Sequence, residues 1–196
     1  EAAMAAVLGD AALVENWLEL SPKPKLKAFT IHGLSYAMAP HLYGKEDTVS
    51  RTFDQDPAVL ASVPSPERSA LNRQLFNALG AVNGKDTMSL LMGMLGTPLG
   101  EVRYACYATL RSVAVQGAWG MAALFGYSGF MTFLENRNTE QNGDKASKEW
   151  KFALVEAVVH SPFLNDTPNA NETSLKAILQ QGPFYMTPQV EGPQLM

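Results

Sequence analysis

The stretch Glu101-Val102-Arg103-Tyr104-Ala105-Cys106-Tyr107-Ala108-Thr109-Leu110-Arg111 carries the clearest helix signal in the chain. Apolar and small residues recur along it at intervals of about three to four, which is the spacing of one helix face. Arg103, Tyr107 and Arg111 follow one another at every fourth position and form a stripe on the opposite face. The stretch therefore predicts an amphipathic helix over residues 99–116.

The same pattern occurs in four places along the chain. Each copy has an apolar residue, a polar or basic residue directly after it, and a second apolar residue eight positions after the first. The copies are Leu26-Lys27…Leu34, Leu71-Asn72…Leu79, Val102-Arg103…Leu110 and Trp150-Lys151…Val158. Their starts lie 45, 31 and 48 residues apart, which is typical of helical repeats that bury their apolar faces by stacking. We predict an all-α fold, an armadillo/HEAT-like α-solenoid of stacked helical hairpins.

Proline, glycine and capping residues divide the remaining sequence into further helices. The predicted helices cover residues 2–20 (with a weak point at 9–10), 25–41, 47–53, 57–61, 65–82, 87–95, 99–116, 119–125, 145–161 and 172–181. Residues 129–134 fit either a strand or a helix, and the pairing of the helices favours a helix. We assign residues 1–182 to one helical-repeat domain, the C-terminal part of a longer solenoid, and residues 183–196 to an extended tail.

Composition narrows the classes of function. Of the 196 residues, 46% are apolar and 17% are charged, which is a globular composition with a substantial core. The net charge of −4 offers no attraction to nucleic acid or to an anionic membrane. No apolar run is long enough to predict a membrane span.

Cys106 is the one cysteine, so no disulfide can form within the chain, and we expect Cys106 to be a buried core residue. This usage fits a reducing compartment, and we expect a cytoplasmic protein, with the nucleus as a second location. The chain starts at Glu1 without an initiating methionine, and we expect it to be a piece of a longer protein.

Motifs for catalysis or cofactor binding are absent from the sequence. Gly84-Lys85 lacks the earlier glycine and the following serine or threonine of a phosphate-binding loop. The three histidines, His32, His41 and His160, and Cys106 show no zinc-ligand spacing. We therefore predict no catalytic residue, no cofactor and no metal. An enzyme whose site is assembled from distant residues stays a minor alternative.

Three short segments near the C-terminus are more specific. They are Ser128-Gly129-Phe130, then Asp144-Lys145-Ala146-Ser147-Lys148 with Leu154-Val155-Glu156-Ala157, and finally Gly182-Pro183-Phe184-Tyr185. In order and spacing this region resembles the C-terminal part of the 26S proteasome non-ATPase regulatory subunit 5 family. The close match covers residues 128–188, residues 101–125 fit more loosely, and residues 1–98 match in architecture. The loop at 165–172 departs from the family pattern and suggests a distant member, as from a plant.

The resemblance implies a solenoid without enzymatic activity. Members of this family are assembly chaperones of the proteasome regulatory particle, and they hold the C-terminal domain of one ATPase subunit of the base. Their binding surface lies along the inner side of the solenoid. The expected partner is therefore a proteasomal ATPase subunit, and neither nucleic acid nor a membrane. A generic armadillo/HEAT adaptor for other proteins is the alternative.

Candidate partner-binding residues are Arg103, Tyr107, Arg111 and Lys148. Arginine and tyrosine are enriched where interfaces concentrate their binding energy, so the stripe on the helix at 99–116 fits a ridge that contacts a partner. The same stripe fits two structural roles equally simply: a solvated flank, or a ladder of arginines bonded to neighbouring repeats. Phe184 and Tyr185 could likewise pack back onto the last helices and fix the chain end.

Overall fold

The computed structural model describes residues 9–43, 56–140 and 145–185. Over these ranges the regular structure is helical, and no strand occurs in them. The α-helices are α1 (Ala11–Leu18), α2 (Lys27–Met38), α3 (Pro57–Leu60), α4 (Pro66–Val82), α5 (Thr87–Leu95), α6 (Gly100–Ala114), α7 (Ala118–Gly126), α8 (Phe130–Glu135), α9 (Lys145–Val159) and α10 (Glu172–Gln181). A 3₁₀ turn, Pro40–Leu42, follows α2. The predicted all-α class is confirmed for the described residues.

Local capping signals set the starts of several helices. The Ser65 hydroxyl accepts a hydrogen bond of 3.3 Å from the Arg68 amide at the start of α4, as expected for an N-cap followed by proline. The Asp10 carboxylate accepts one of 3.1 Å from the Leu13 amide. Asp10 lies at the predicted weak point, and α1 begins directly after it. The ambiguous segment at 129–134 is the helix α8.

Some predicted bounds differ from the structure. Helix α2 ends at Met38, before the predicted end at residue 41, because Pro40 cannot continue the helical hydrogen bonding and restricts the residue ahead of it. The predicted helix at 47–53 and the tail after residue 185 lie outside the described residues. The division into a domain at 1–182 and a tail at 183–196 stays a prediction.

Helix α6 lies at the centre of the packing. It contacts α2, α9, α5 and α7. Helix α4 packs against α1, α2 and α5, whereas α10 packs against α8 and α9. Buried side chains from Val14 on α1 to Ile178 on α10 belong to one hydrophobic cluster.

Three of the four repeated sequence stretches lie in α2, α6 and α9. Helices α2 and α9 each pack against α6, and they also meet one another, because the rings of His32 and Trp150 lie edge to face with centroids 6.1 Å apart. The fourth stretch is in α4, which packs against α2. The armadillo or HEAT type of stacking stays a prediction.

Candidate functional site

The stripe of Arg103, Tyr107 and Arg111 on α6 does not face solvent along its length. The side chains of Tyr107 and Arg111 are 0% exposed, and the Arg103 side chain is 13% exposed. The solvated-flank alternative is wrong for Tyr107 and Arg111, because the packing around α6 covers both side chains, and their role in partner binding stays a prediction. Neither side chain offers a contact surface in this structure.

Arg103 and Tyr107 instead belong to a buried polar cluster centred on Glu140. The Tyr107 hydroxyl donates to Glu140 Oε1 at 2.5 Å, and Arg103 Nε lies 3.7 Å from Glu140 Oε2. Arg103 Nη2 also donates to the Ser147 hydroxyl on α9 at 3.0 Å. The stripe therefore joins neighbouring helices, as the arginine-ladder alternative predicts for Arg103. We call Arg103, Tyr107, Glu140 and Ser147 the Glu140 cluster.

Electrostatics in the Glu140 cluster favour the protonated form of the Tyr107 hydroxyl. Burial raises the pKa of the Tyr107 hydroxyl well above its ordinary value, and the negative charge of Glu140 adds to the rise. The hydroxyl therefore stays protonated at neutral pH and serves as a hydrogen-bond donor. The buried carboxylate is stabilised by this donor and by the Arg103 guanidinium.

Lys151 on α9 holds the segment between α8 and the Glu140 cluster. Its amine donates to the Phe133 carbonyl at 2.6 Å, to the Asn136 carbonyl at 2.7 Å and to the Thr139 hydroxyl at 2.7 Å. It also lies 4.4 Å from the centroid of the Phe133 ring, within cation–π range. All three donors of the ammonium group are thus used within the protein.

Burial lowers the pKa of Lys151 to about 7, the charge of Arg137 also lowers it, and Glu140 opposes the shift. A lysine with such a pKa can be a nucleophile or a base in an enzyme. Here the side chain is buried and its nitrogen faces three protein acceptors. The arrangement is that of a structural clamp.

Beside Lys151 lies a small cavity of ≈ 20 Å³, which we call the Lys148 pocket. Its lining is Leu134, Arg137, Glu140, Lys148, Lys151, Phe152, Val155 and Pro183. A space of this size holds about one water molecule and is too small for a nucleotide or an organic cofactor. Lys148, predicted from the sequence as a partner-binding residue, is half-buried at this pocket. Its role in binding stays a prediction.

A second set of buried polar side chains joins α6 and α4 to α2. The hydroxyls of Thr109 and Ser112 donate to the carbonyls of Ile31 at 3.0 Å and of Ser35 at 3.1 Å. At the C-terminal end of α2, the side-chain amide of Asn72 donates to the Met38 carbonyl at 2.9 Å. The Gln116 amide donates to the same carbonyl at 3.2 Å. These bonds satisfy backbone groups at a buried helix end.

We call the side chains of Asn72, Thr109, Ser112 and Gln116 the α2 seam. Sequence reasoning missed these bonds between helices, although the sequence contains a pattern that indicates them. Thr109, Ser112 and Gln116 recur at helical spacing on the face of α6 that also carries Ala105 and Ala108. Small residues let two helices approach closely enough for hydroxyls to reach backbone carbonyls. Asn72 occupies the polar position of one repeated stretch, so that position is used for bonding between helices.

The described residues offer no metal site and little reactive chemistry. No group of three or more His, Cys, Asp or Glu side chains in them is arranged to hold a metal ion. Cys106 is 0% exposed, and burial raises the pKa of its thiol to about 12, so the prediction of a buried core cysteine is confirmed. Burial also lowers the pKa of His32. Within the described ranges, no helix combines the length and apolarity needed to cross a membrane.

Comparison with known proteins gives a consistent result. The family described as "Proteasome non-ATPase 26S subunit" matches residues 58–192. The "26S proteasome non-ATPase regulatory subunit 5" of Homo sapiens is 27% identical over 139 residues, which are 70% of this chain and 27% of that protein. The proteins of the same name from Bos taurus and Mus musculus are 30% and 32% identical over 105 residues, 53% of this chain and 20% of each relative. The matched segment thus spans roughly a quarter of these relatives or less. No solved structure matches the chain.

Proposed function

Because the chain belongs to the proteasome non-ATPase 26S subunit family, we propose that it acts as a non-catalytic assembly chaperone of the proteasome regulatory particle. In this proposal it holds the C-terminal domain of an ATPase subunit of the base. The family match over residues 58–192 is the observation that carries the proposal. It confirms the resemblance read from residues 128–188 and extends it toward the N-terminus through α7, α6, α5 and α4.

The distribution of polar groups supports a binding role. Arg103, Tyr107, Glu140 and Lys151 are all bonded to other parts of the protein. Such groups fix the helices relative to one another. Some large apolar side chains remain exposed, among them Phe29 at 76% and Leu99 at 60%, and such groups contribute to binding another protein.

The packing of α2 and α9 against α6 supports an armadillo/HEAT-like α-solenoid, which we include in the proposal. A stacked row presents an extended surface built from successive helices. The chaperone would act sterically, because the solenoid would occupy a surface that the ATPase subunit needs for docking onto the proteolytic core. We place this activity in the cytoplasm and the nucleus, since the single buried cysteine requires no oxidising compartment.

Affinity capture tests the proposal. The tagged chain is mixed at micromolar concentration, in mild salt, with the separately purified C-terminal domains of the base ATPase subunits. We expect one of these domains to be retained and the others to wash off. Retention of none of them would contradict the proposal. Equal retention of all of them, or of unrelated helical proteins, would favour a generic adaptor.

A further inference from the structure

The Lys148 pocket combines apolar walls with a basic mouth. It lies where α9 meets the segment after α8 and the segment after α10, which contributes Pro183. Arg137 donates to the carbonyl of Gly182 and so fixes the segment after α10 against the segment after α8. The pocket therefore has walls from three parts of the chain, which are held together by hydrogen bonds.

The charges around the pocket are unequal. Glu140, the one carboxylate among the lining residues, is already bonded to Tyr107 and Arg103. Arg137 and Lys148 have no carboxylate within ion-pair distance in the part of the chain that the structure describes. The donors of Lys151 are used elsewhere. Among the described residues, the positive charges of Arg137 and Lys148 at the mouth of the pocket are therefore without an ion-pair partner.

Two exposed aromatic residues lie beside this mouth. Phe184 is 49% exposed and Tyr185 is 39% exposed. Lys145 Nζ lies 5.6 Å from the centroid of the Phe184 ring, and the Tyr185 side chain is close enough to act on the pKa of Arg137. The segment after α10 is therefore held against the protein while its aromatic rings stay accessible. Exposed aromatic surface next to fixed charge is typical of a protein-binding site.

We propose that the Lys148 pocket binds an acidic side chain of a protein partner, with the carboxylate between Arg137 and Lys148 and adjacent apolar side chains on Phe184 and Tyr185. The carboxylate would lie at the mouth, because the ≈ 20 Å³ cavity behind it holds about one water molecule. A carboxylate from the partner would pair with Arg137 and Lys148, because Glu140 is already bonded to Tyr107 and Arg103. The inference rests on the proposed function for the identity of the partner, but the pocket's preference can be measured without it.

The test uses a short fluorescein-labelled peptide of alternating leucine and glutamate with an amidated C-terminus. Its control has glutamine in place of glutamate. By fluorescence anisotropy at low salt, we expect the chain to bind the glutamate peptide at least about fivefold more tightly than the glutamine peptide. Lys148→Gln should remove most of this difference. Lys85→Gln, which changes an exposed lysine in the turn between α4 and α5, should leave it intact.

Two further peptides separate the sources of the anion. A glutamine peptide with a free C-terminus reports binding of a terminal carboxylate, and a phosphoserine peptide reports binding of phosphate. Tighter binding of either one than of the glutamate peptide would overturn the assignment to an acidic side chain. Equal affinities for the glutamate and glutamine peptides, or equal losses in Lys148→Gln and Lys85→Gln, would also overturn it.

Failure of the pocket and failure of the proposed function give different results. If Lys148→Gln loses the glutamate peptide but still retains the ATPase domain fully, the pocket is not the contact used with that partner, and the inference is wrong for it. If the chain binds the glutamate peptide through Lys148 but retains no ATPase domain, the pocket stands and the proposed function fails.

Discussion

Gly120 lies where α7 crosses the end of α6, and there is no room for a side chain. A Cβ atom at this position would lie 2.0 Å from the Val113 carbonyl oxygen and 3.1 Å from Gln116 Cβ. Because the first of these atoms is backbone, Gly120→Ala must push α7 away from α6. We expect it to lower the free energy of unfolding by about 1–3 kcal/mol, measured by urea denaturation.

Gly93 provides the matched control, because a Cβ atom there meets nothing within 4 Å. Gly93 lies within α5, so Gly93→Ala should raise the free energy of unfolding by up to about 1 kcal/mol through helix propensity. If the two substitutions changed the free energy of unfolding similarly, the close approach of Gly120 to the Val113 carbonyl would not restrict the side chain at position 120.

Lys151 allows a test of the clamp between α9 and the segment after α8. Lys151→Met keeps the length of the apolar stem but removes the donor from the carbonyls of Phe133 and Asn136. We expect the free energy of unfolding to fall by about 1–3 kcal/mol near neutral pH, because buried acceptors are left without a partner. Lys148→Met serves as the control, since Lys148 lies on the same helix without such bonds among the described residues. An equal effect of both changes would contradict the clamp.

The same variant gives a pH prediction. Lysine in an unfolded chain has a pKa of about 10.4, whereas burial lowers the pKa of Lys151 to about 7. From about pH 7.5 to 9 the unfolded chain therefore keeps a proton that the folded protein has released, and this group makes stability rise with pH. The difference in unfolding free energy between wild type and Lys151→Met should grow by roughly 2 kcal/mol over that range.

Burial raises the pKa of Cys106, and this makes stability fall with pH in both proteins. The difference in unfolding free energy between wild type and Lys151→Met cancels that effect. Urea denaturation at several pH values measures it. A difference that stays constant with pH would show that Lys151 keeps an ordinary pKa in the folded protein.

At the scale of elements, the α2 seam determines how α4 and α6 meet α2. Asn72 is 0% exposed, and its amide donates to the Met38 carbonyl at 2.9 Å and to Gln116 Oε1 at 2.7 Å. Asn72→Ala should lower the free energy of unfolding by about 1–3 kcal/mol, because it leaves the buried Gln116 Oε1 without this donor and removes one of the two donors to the Met38 carbonyl. Asn77→Ala, at an exposed position of the same helix, should change it by less than about 0.5 kcal/mol. Chemical denaturation of both variants decides whether the seam stabilises the packing.

The helices themselves could be predicted because their signals are local. Ser65 and Pro66 at the start of α4 act within one turn of the chain, and α4 and α5 keep their predicted bounds. The environment of α6 could not be predicted in the same way. Tyr107 looks like a surface residue until Glu140 and α9, more than thirty residues later, cover it. Of the predicted site residues, Lys148 stays accessible, because its side chain lies at the edge of a pocket.

At the scale of the whole molecule, α6 is the element on which the others depend. It contacts α2 from the first half of the chain and α9 from the second half. Its residues from Ala105 to Ala114 are all buried. Because the hydrophobic cluster runs without interruption from α1 to α10, loss of either neighbour exposes one face of α6. Independent unfolding of the two halves would therefore be costly.

We therefore expect one cooperative unfolding transition for the described helices. Leu34 on α2 and Leu154 on α9 are both 0% exposed, and each Leu→Ala change should lower the free energy of unfolding by about 2–5 kcal/mol. Far-UV circular dichroism reports all helices, whereas fluorescence reports the surroundings of Trp17, Trp119 and Trp150 on α1, α7 and α9. In both variants the two signals should change at the same urea concentration. If Leu154→Ala loses part of the helix signal in a separate first step while Leu34→Ala does not, α9 and α10 form a unit that unfolds on its own, and the central role of α6 is wrong.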